Sequence, residues 1–474
     1  MRPWHVIFGL SGFFILFFAG LATWFTFDGQ WNSDQFSPSR SQSSTYRPGK
    51  DNRSLEKSEI TTKMNEVPDE PSALFNDPAI NQAWGLKKAD AARAWSVSKG
   101  SRDINVCVID TGIDIRHEDI AQNLWRNPGE SGLDSKGRDK CSNGIDDDGN
   151  GHIDDCYGWN FVSNNNNLTD NHGHGTHIAG IIGAEAGNGK GISGISPQVS
   201  LMILKYYDPK VPNTDNLKNT IAAIRYCVKM GAHIINYSGG GTEYSQDEHD
   251  AVAEAERKGI LFVAAAGNER SNSDQHHYYP ADYKLKNIIS VTAIDPSTQV
   301  LSSSNYGIET VDIAAPGQNI LSTLPGNSYG FMTGTSQATA FVTGAAALIM
   351  AHKQSFKAED VKKYVLSTGD AMTSLASKTR TSRQLNLYKS LTILDSGVGA
   401  SGVVAIPKQE QFTVDGISDP GMAGGNARGA AAENRANSGF AQFGRSLINA
   451  IEKGDKKVKP SKLGSGGGAE PVGN

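Results

Sequence analysis

Apolar residues along this chain gather into runs of two kinds. Residues 104–110, 200–205, 234–237, 260–266 and 288–293 are largely apolar without regular alternation. A strand covered on one face alternates apolar and polar positions, so continuous runs predict strands buried on both faces. Between them, residues 216–230 and 247–258 carry apolar side chains at helical spacing. Strands separated by such helices predict an α/β fold, a doubly wound, mostly parallel sheet with helices on both faces. Such a sheet collects its ligands at the carboxyl ends of its strands. A further apolar stretch, 341–350, predicts a buried helix, entered through the small residues Gly334-Thr335-Ser336-Gln337-Ala338-Thr339-Ala340.

The two ends of the chain follow other patterns. Residues 6–27 carry no charge and follow only Arg2 and His5. They are long enough to cross a bilayer, which takes about 20 apolar residues. Small residues at Gly20-Leu21-Ala22 also offer a cleavage point. Residues 1–27 therefore read as a signal peptide or a membrane anchor, and either predicts an extracytoplasmic protein. Residues 28–75, rich in Ser, Pro and charge, read as a polar linker. Residues 392–474, rich in Gly, Ala and Asn with a lysine-rich stretch, read as a disordered tail. The folded domain is thereby expected at 76–391. A chain of 474 residues, 38% hydrophobic, has material for one large domain with appendages, and a net charge of -5 points to no nucleic-acid partner. A monomer is expected.

Candidate chemistry stands at the ends of three of these elements. The apolar strand Val106-Cys107-Val108-Ile109-Asp110-Thr111-Gly112 reaches a carboxylate at Asp110, and His174-Gly175-Thr176-His177-Ile178-Ala179-Gly180 opens a small-residue helix with a histidine. Ser336 lies at the N-terminus of the apolar helix, where unpaired N–H groups and the helix dipole favour developing negative charge. A serine so placed is by itself an ordinary helix cap. Its company changes the reading: an acid, a base and a nucleophile in the chain order Asp, His, Ser.

These three motifs resemble those of the subtilisin-like serine proteases (subtilases), nearest the thermitase-type branch, and the resemblance extends over about residues 76–391. It implies that Ser336 attacks the peptide carbonyl, that His174 acts as general base and then acid, and that Asp110 holds the imidazole. Asn268, closing the apolar run 261–266 after Gly267, matches the family's oxyanion asparagine, with the Ser336 N–H as second donor. Tyr237-Ser238-Gly239-Gly240 matches the substrate-binding strand, so Ser238, Gly239 and Gly240 would pair with an extended polypeptide. Gly239 replaces a residue often larger in the family, which implies more open subsites. His177 matches a packed position, and His172-Gly173-His174 lacks the His-Glu-x-x-His pattern of zinc proteases. The chain departs from the family at Gln337, where Met is usual, and at Ala340, where Pro is usual. Many secreted subtilases also carry a folded inhibitory prodomain, for which residues 28–75 are short and weakly patterned.

An acidic loop occupies the stretch between Asp110 and His174, which is longer than in compact family members. Asp146, Asp148 and Asn150 fall at positions 1, 3 and 5 of an EF-hand-like loop, Gly151 at 6 and the His152 carbonyl at 7. Position 12 is Tyr157 rather than Glu, so the bidentate ligand is sought at Asp154 or Asp155. Clustered carboxylates repel one another unless a cation neutralises them, and the cofactor expected here is Ca2+. A second calcium site follows from the resemblance alone: Asp77, Asp119 and Asn188 match side-chain ligands, with carbonyls from the loop 185–192. Cys141 and Cys156 bracket the acidic loop and are expected as a disulfide, whereas Cys107 and Cys227 read as buried thiols.

The combined reading is an exported, calcium-stabilised serine endopeptidase. The alternative, from another class, is a catalytically silent, calcium-dependent binding protein on the same fold.

Overall fold

The computed structural model describes residues 70–393. The segments 1–27, 28–69 and 394–474, with the expected membrane segment and the tail, lie outside the described residues. Among the described residues, no helix is long and apolar enough to cross a membrane.

Eleven strands are described. β1 (Gly100–Asp110), β2 (Gly158–Asn160), β3 (Gln198–Lys205), β4 (Ile234–Tyr237), β5 (Leu261–Ala265), β6 (Ile288–Ile294), β7 (Ile313–Pro316), β10 (Asp370–Ala371) and β11 (Arg383–Gln384) form one sheet in the order β10-β11-β7-β6-β5-β4-β1-β3-β2. Its pairings are parallel except β10 with β11, and β8 (Ile320–Leu324) and β9 (Ser328–Met332) make a separate hairpin. Among the described residues the eight α-helices are α1 (Trp84–Lys88), α2 (Ala91–Trp95), α3 (His174–Gly183), α4 (Asn216–Lys229), α5 (Gln246–Arg257), α6 (Thr335–His352), α7 (Ala358–Thr368) and α8 (Leu387–Thr392).

The continuous apolar runs have a simple cause. Val106 and Val108 of β1, with Leu261 and Val263 of β5, belong to a core shared with α3 and α6. Cys107 and Ile109, with Phe262 and Ala264, belong to a second core shared with α4 and α5. Successive side chains of a strand point to opposite faces, so a sheet covered twice needs apolar residues at every position. The helix α6 is buried at every position from Thr335 to Met350, which is why its sequence shows no polar stripe.

A disulfide corrects the reading of two cysteines. Cys107 and Cys227 are bonded, with Cα atoms 6.0 Å apart, tying β1 to α4. Both side chains face the same core, and only the packing of α4 on the sheet brings together positions 120 residues apart. Cys141 and Cys156 are bonded as expected, and no cysteine is free.

Candidate active site

Because β5, β4 and β1 are adjacent and parallel, their carboxyl ends share one edge. Asp110 ends β1, Ser238 follows β4 and Asn268 lies just beyond β5. The N-termini of α3 and α6 bring His174 and Ser336 toward this edge through contacts with residues on it. The Asp110 Oδ1 lies 2.7 Å from His174 Nδ1, and the Thr111 N–H donates to the same Oδ1 at 2.8 Å. Burial pushes the His174 pKa down, but the Asp110 charge and hydrogen bond, with the charge of Asp170, outweigh it and hold the imidazole above the ordinary 6.5.

Ser336 is the second residue of α6, and its hydroxyl donates to the Ser238 carbonyl at 3.0 Å. In return, the Ser238 hydroxyl donates to the Ser336 carbonyl at 3.3 Å. Asn268 is fixed from the other side: its Oδ1 accepts the Thr335 N–H at 3.0 Å and the Thr335 hydroxyl at 3.2 Å. With the carbonyl end of the amide engaged, its NH2 remains as the donating end next to the nucleophile's helix turn. Gly239 does not leave open space, contrary to what the sequence implied. A Cβ there would meet the Tyr206 hydroxyl at 2.8 Å and the Tyr237 ring at 2.9 Å.

Asp170 was not singled out by sequence, since it stands in a polar run that reads as loop. Its carboxylate accepts the N–H groups of His172, Gly173 and Thr176 and the hydroxyls of Thr111 and Thr176, at 2.7–3.0 Å. Burial pushes its pKa up, yet these donors prevail and hold it below the ordinary carboxylate value. An anion here also suits the positive end of α3. His177 is a packed residue: its Nε2 donates to the carbonyls of Ile320 and Gly330. Burial, with the charge of His174, lowers its pKa to about 3.

The acidic loop assembles a cluster with a different membership from the expected one. Carboxylate oxygens of Glu130, Asp146 and Asp148 lie within 4.8 Å of one another. Glu130 is fully buried, its Oε1 accepts the Asp147 N–H at 2.6 Å, and its Oε2 has no hydrogen-bond partner among the described residues. Asn150 adjoins, donating to Asp148 at 3.1 Å. The His152 ring packs edge-on against Trp159 and Tyr226, leaving its carbonyl as the group available to the loop. Asp154 turns instead to cap the Gly144 N–H at 3.0 Å, and Asp155 is spent on Tyr226, Asn127 and Asn150. The oxygen-rich set and the orphaned Glu130 oxygen suit a hard cation.

Asp77, Asp119 and Asn188 also meet. Asn188 donates to Asp119 at 2.7 Å, while Asp77 accepts the N–H groups of Gly187 and Gly189 on the same loop. Burial raises the Asp119 pKa to about 6 against its hydrogen bonds, and the Asp77 charge adds to the rise. Two buried carboxylates of this kind are relieved by a cation between them.

Known proteins resemble this chain. A model of the subtilase family matches residues 101–388, and the chain belongs to that family. It is 33% identical over 330 residues to the subtilisin-like protease 2 of Plasmodium falciparum, covering 68% of this chain and 22% of that protein. It is 32% identical over 330 residues to a thermophilic serine proteinase of Bacillus sp. (strain AK1), covering 68% of this chain and 72% of that protein. Among solved structures, a protease from Pseudoalteromonas arctica superposes with a TM-score of 0.54 at 22% identity, over 67% of this chain and 98% of that one. That last likeness is one of fold.

Proposed function

We propose that the chain is an exported serine endopeptidase working through Asp110, His174 and Ser336. The observation that carries the reading is the 2.7 Å contact between Asp110 and His174, at the strand edge where α6 delivers Ser336. An extended polypeptide laid along residues 238–240 would pair with the Ser238 carbonyl and release the Ser336 hydroxyl toward His174. His174 takes the proton as Ser336 attacks, and the imidazolium is stabilised by Asp110. Negative charge on the carbonyl oxygen then meets the Asn268 NH2 and the Ser336 N–H at the positive end of α6. His174 returns the proton to the leaving amine, and water repeats the sequence on the acyl-enzyme.

Calcium belongs to this reading as a stabiliser. Glu130, Asp146 and Asp148, with Asn150 and the His152 carbonyl, would hold one ion, and Asp77, Asp119 and Asn188 another. The ion supplies only charge neutralisation. Two disulfides support an oxidising compartment, in keeping with export.

Reaction with a fluorophosphonate probe, followed by digestion of a peptide library, tests the reading. Stoichiometric labelling at Ser336 together with cleavage is the expected result. A folded protein that neither labels nor cleaves would leave the silent binding protein as the correct description.

A further inference from the structure

The cleft beside Ser336 has two walls. Residues 238–241 continue β4, residues 266–268 continue β5, and the two strands run parallel in register, Tyr237 opposite Ala264. Ser336 is tied to the first wall through Ser238, and its neighbour Thr335 to the second through Asn268. A peptide carbonyl that reaches both the Ser336 hydroxyl and the Asn268 NH2 lies across the two walls. The space between the walls is then the one that the side chain on the acyl side of the scissile bond would enter. Both walls carry a glycine beside this space, Gly240 on one and Gly267 on the other.

The slot is nevertheless filled from within. A Cβ at Gly240 would overlap the Tyr278 ring, with Cζ at 2.9 Å and Cε1 closer still, while a Cβ at Gly267 would meet the Glu269 carboxylate and the Asn305 amide first and Cδ1 of the same ring at 3.0 Å. One edge of Tyr278 thus faces both glycines, and the residue is 3% exposed. Its backbone is held firmly. The Tyr278 N–H donates to Asp282 at 2.9 Å, and Tyr279 exchanges two backbone hydrogen bonds with Gly241 at 2.7 and 2.9 Å. Tyr279 in turn stacks on Tyr283 with ring centroids 4.9 Å apart.

We propose that Tyr278 is a specificity-determining residue that floors the pocket for the acyl-side residue, so that the enzyme cleaves after Gly, Ala or Ser and rejects large side chains. This rests on the peptidase reading above. A glycine-lined slot without this ring would accept an aromatic or a leucine side chain. With the ring in place, a large residue must displace a packed tyrosine, and overfilling a packed site is unfavourable.

The test uses matched peptides that differ only in the acyl-side residue, with active sites counted by fluorophosphonate titration. Wild type should favour Ala over Phe by about 10²-fold or more in kcat/KM. Tyr278→Phe, which keeps the ring, should preserve that ratio, and Tyr278→Ala should shift it toward Phe by at least about tenfold. A labelled, active wild type that cleaves after Phe or Leu as well as after Ala overturns the assignment. So does a Tyr278→Ala enzyme that titrates fully and keeps the wild-type ratio. If Tyr278→Ala fails to titrate, the wild-type ratio alone decides. A wild type that neither labels nor cleaves overturns the peptidase reading itself, and the role of Tyr278 with it.

Discussion

The Asp170 carboxylate accepts the Thr111 hydroxyl at 2.9 Å, joining the turn after β1 to the first turn of α3. Thr111 also accepts the Gly175 N–H at 2.9 Å, so the two residues set the approach of Asp110 to His174. Asp170→Asn should destabilise the domain by about 1–3 kcal/mol, the cost of losing a charged acceptor from buried donors. It should also reduce kcat more than it raises KM. Because the Asp170 charge helps to raise the His174 pKa, the acid limb of the pH profile should move down, a change that loss of stability alone would not produce. An unmoved limb would reduce Asp170 to a helix cap.

Ser336→Ala and His174→Ala should each abolish turnover while leaving the fold intact, and the double variant should be little worse than either, because the groups act as a unit. Asn268→Ala should lower kcat by about 10²–10³ with KM nearly unchanged. Steady-state kinetics with thermal melts on the same preparations check both outcomes. Near-wild-type turnover in any of the three would remove that residue from the mechanism.

With His174 as the proposed base, its raised pKa would set the pH dependence. Catalysis needs the neutral imidazole, so kcat/KM should climb with pH through a value above 6.5. Asp110→Asn should lower that limb along with the rate, since Asp110 opposes the effect of burial most strongly. For stability the sign is opposite. A base whose folded pKa lies above its unfolded value of 6.5 contributes stability that is present below 6.5 and is lost as pH rises through the folded value. Melting curves of Ser336→Ala, immune to self-digestion, should show this decline, and the further change Asp110→Asn should flatten it.

Calcium should stabilise the folded domain by mass action, by about 2.7 kcal/mol for each site at one hundred times its dissociation constant, and so raise the melting temperature. Glu130→Gln should remove the increment from the acidic loop, and Asp119→Asn the increment from the other site, each leaving its counterpart. Equal melting temperatures in calcium and in strong chelator would refute both.

Gln337 is 2% exposed in the first turn of α6, directly after Ser336. A methionine there would become a polar, chiral sulfoxide on oxidation, beside the site of developing charge. Activity should therefore survive mild peroxide in wild type and fall in Gln337→Met. Equal rates of loss would show that another residue governs sensitivity.

What could be read in the chain followed from the range of the interaction. Runs such as 234–237 were legible because burial on both faces of a strand is recorded in consecutive residues. β7 was not, because Ile-Ala-Ala-Pro is short and made of small side chains, and β2 is three residues at a sheet edge. Asp110, His174, Ser336 and Asn268 each terminate or begin a patterned element, so their place could be inferred. Glu130 could not, because it joins Asp146 and Asp148 from outside the loop's spacing rule. The Cys107–Cys227 bond and the ring of Tyr278 between Gly240 and Gly267 likewise depend on which elements the fold sets side by side.

The burial of α6 has a consequence for how long such a molecule would work. Ser336 rides on a helix whose whole inner length is packed, so the proposed nucleophile has no loosely held segment on which to drift out of line. Inactivation then requires the central packing itself to give way. The useful lifetime, in a medium where every unfolded copy is food for its neighbours, becomes a clock set by the height of the unfolding barrier rather than by the depth of the folded well.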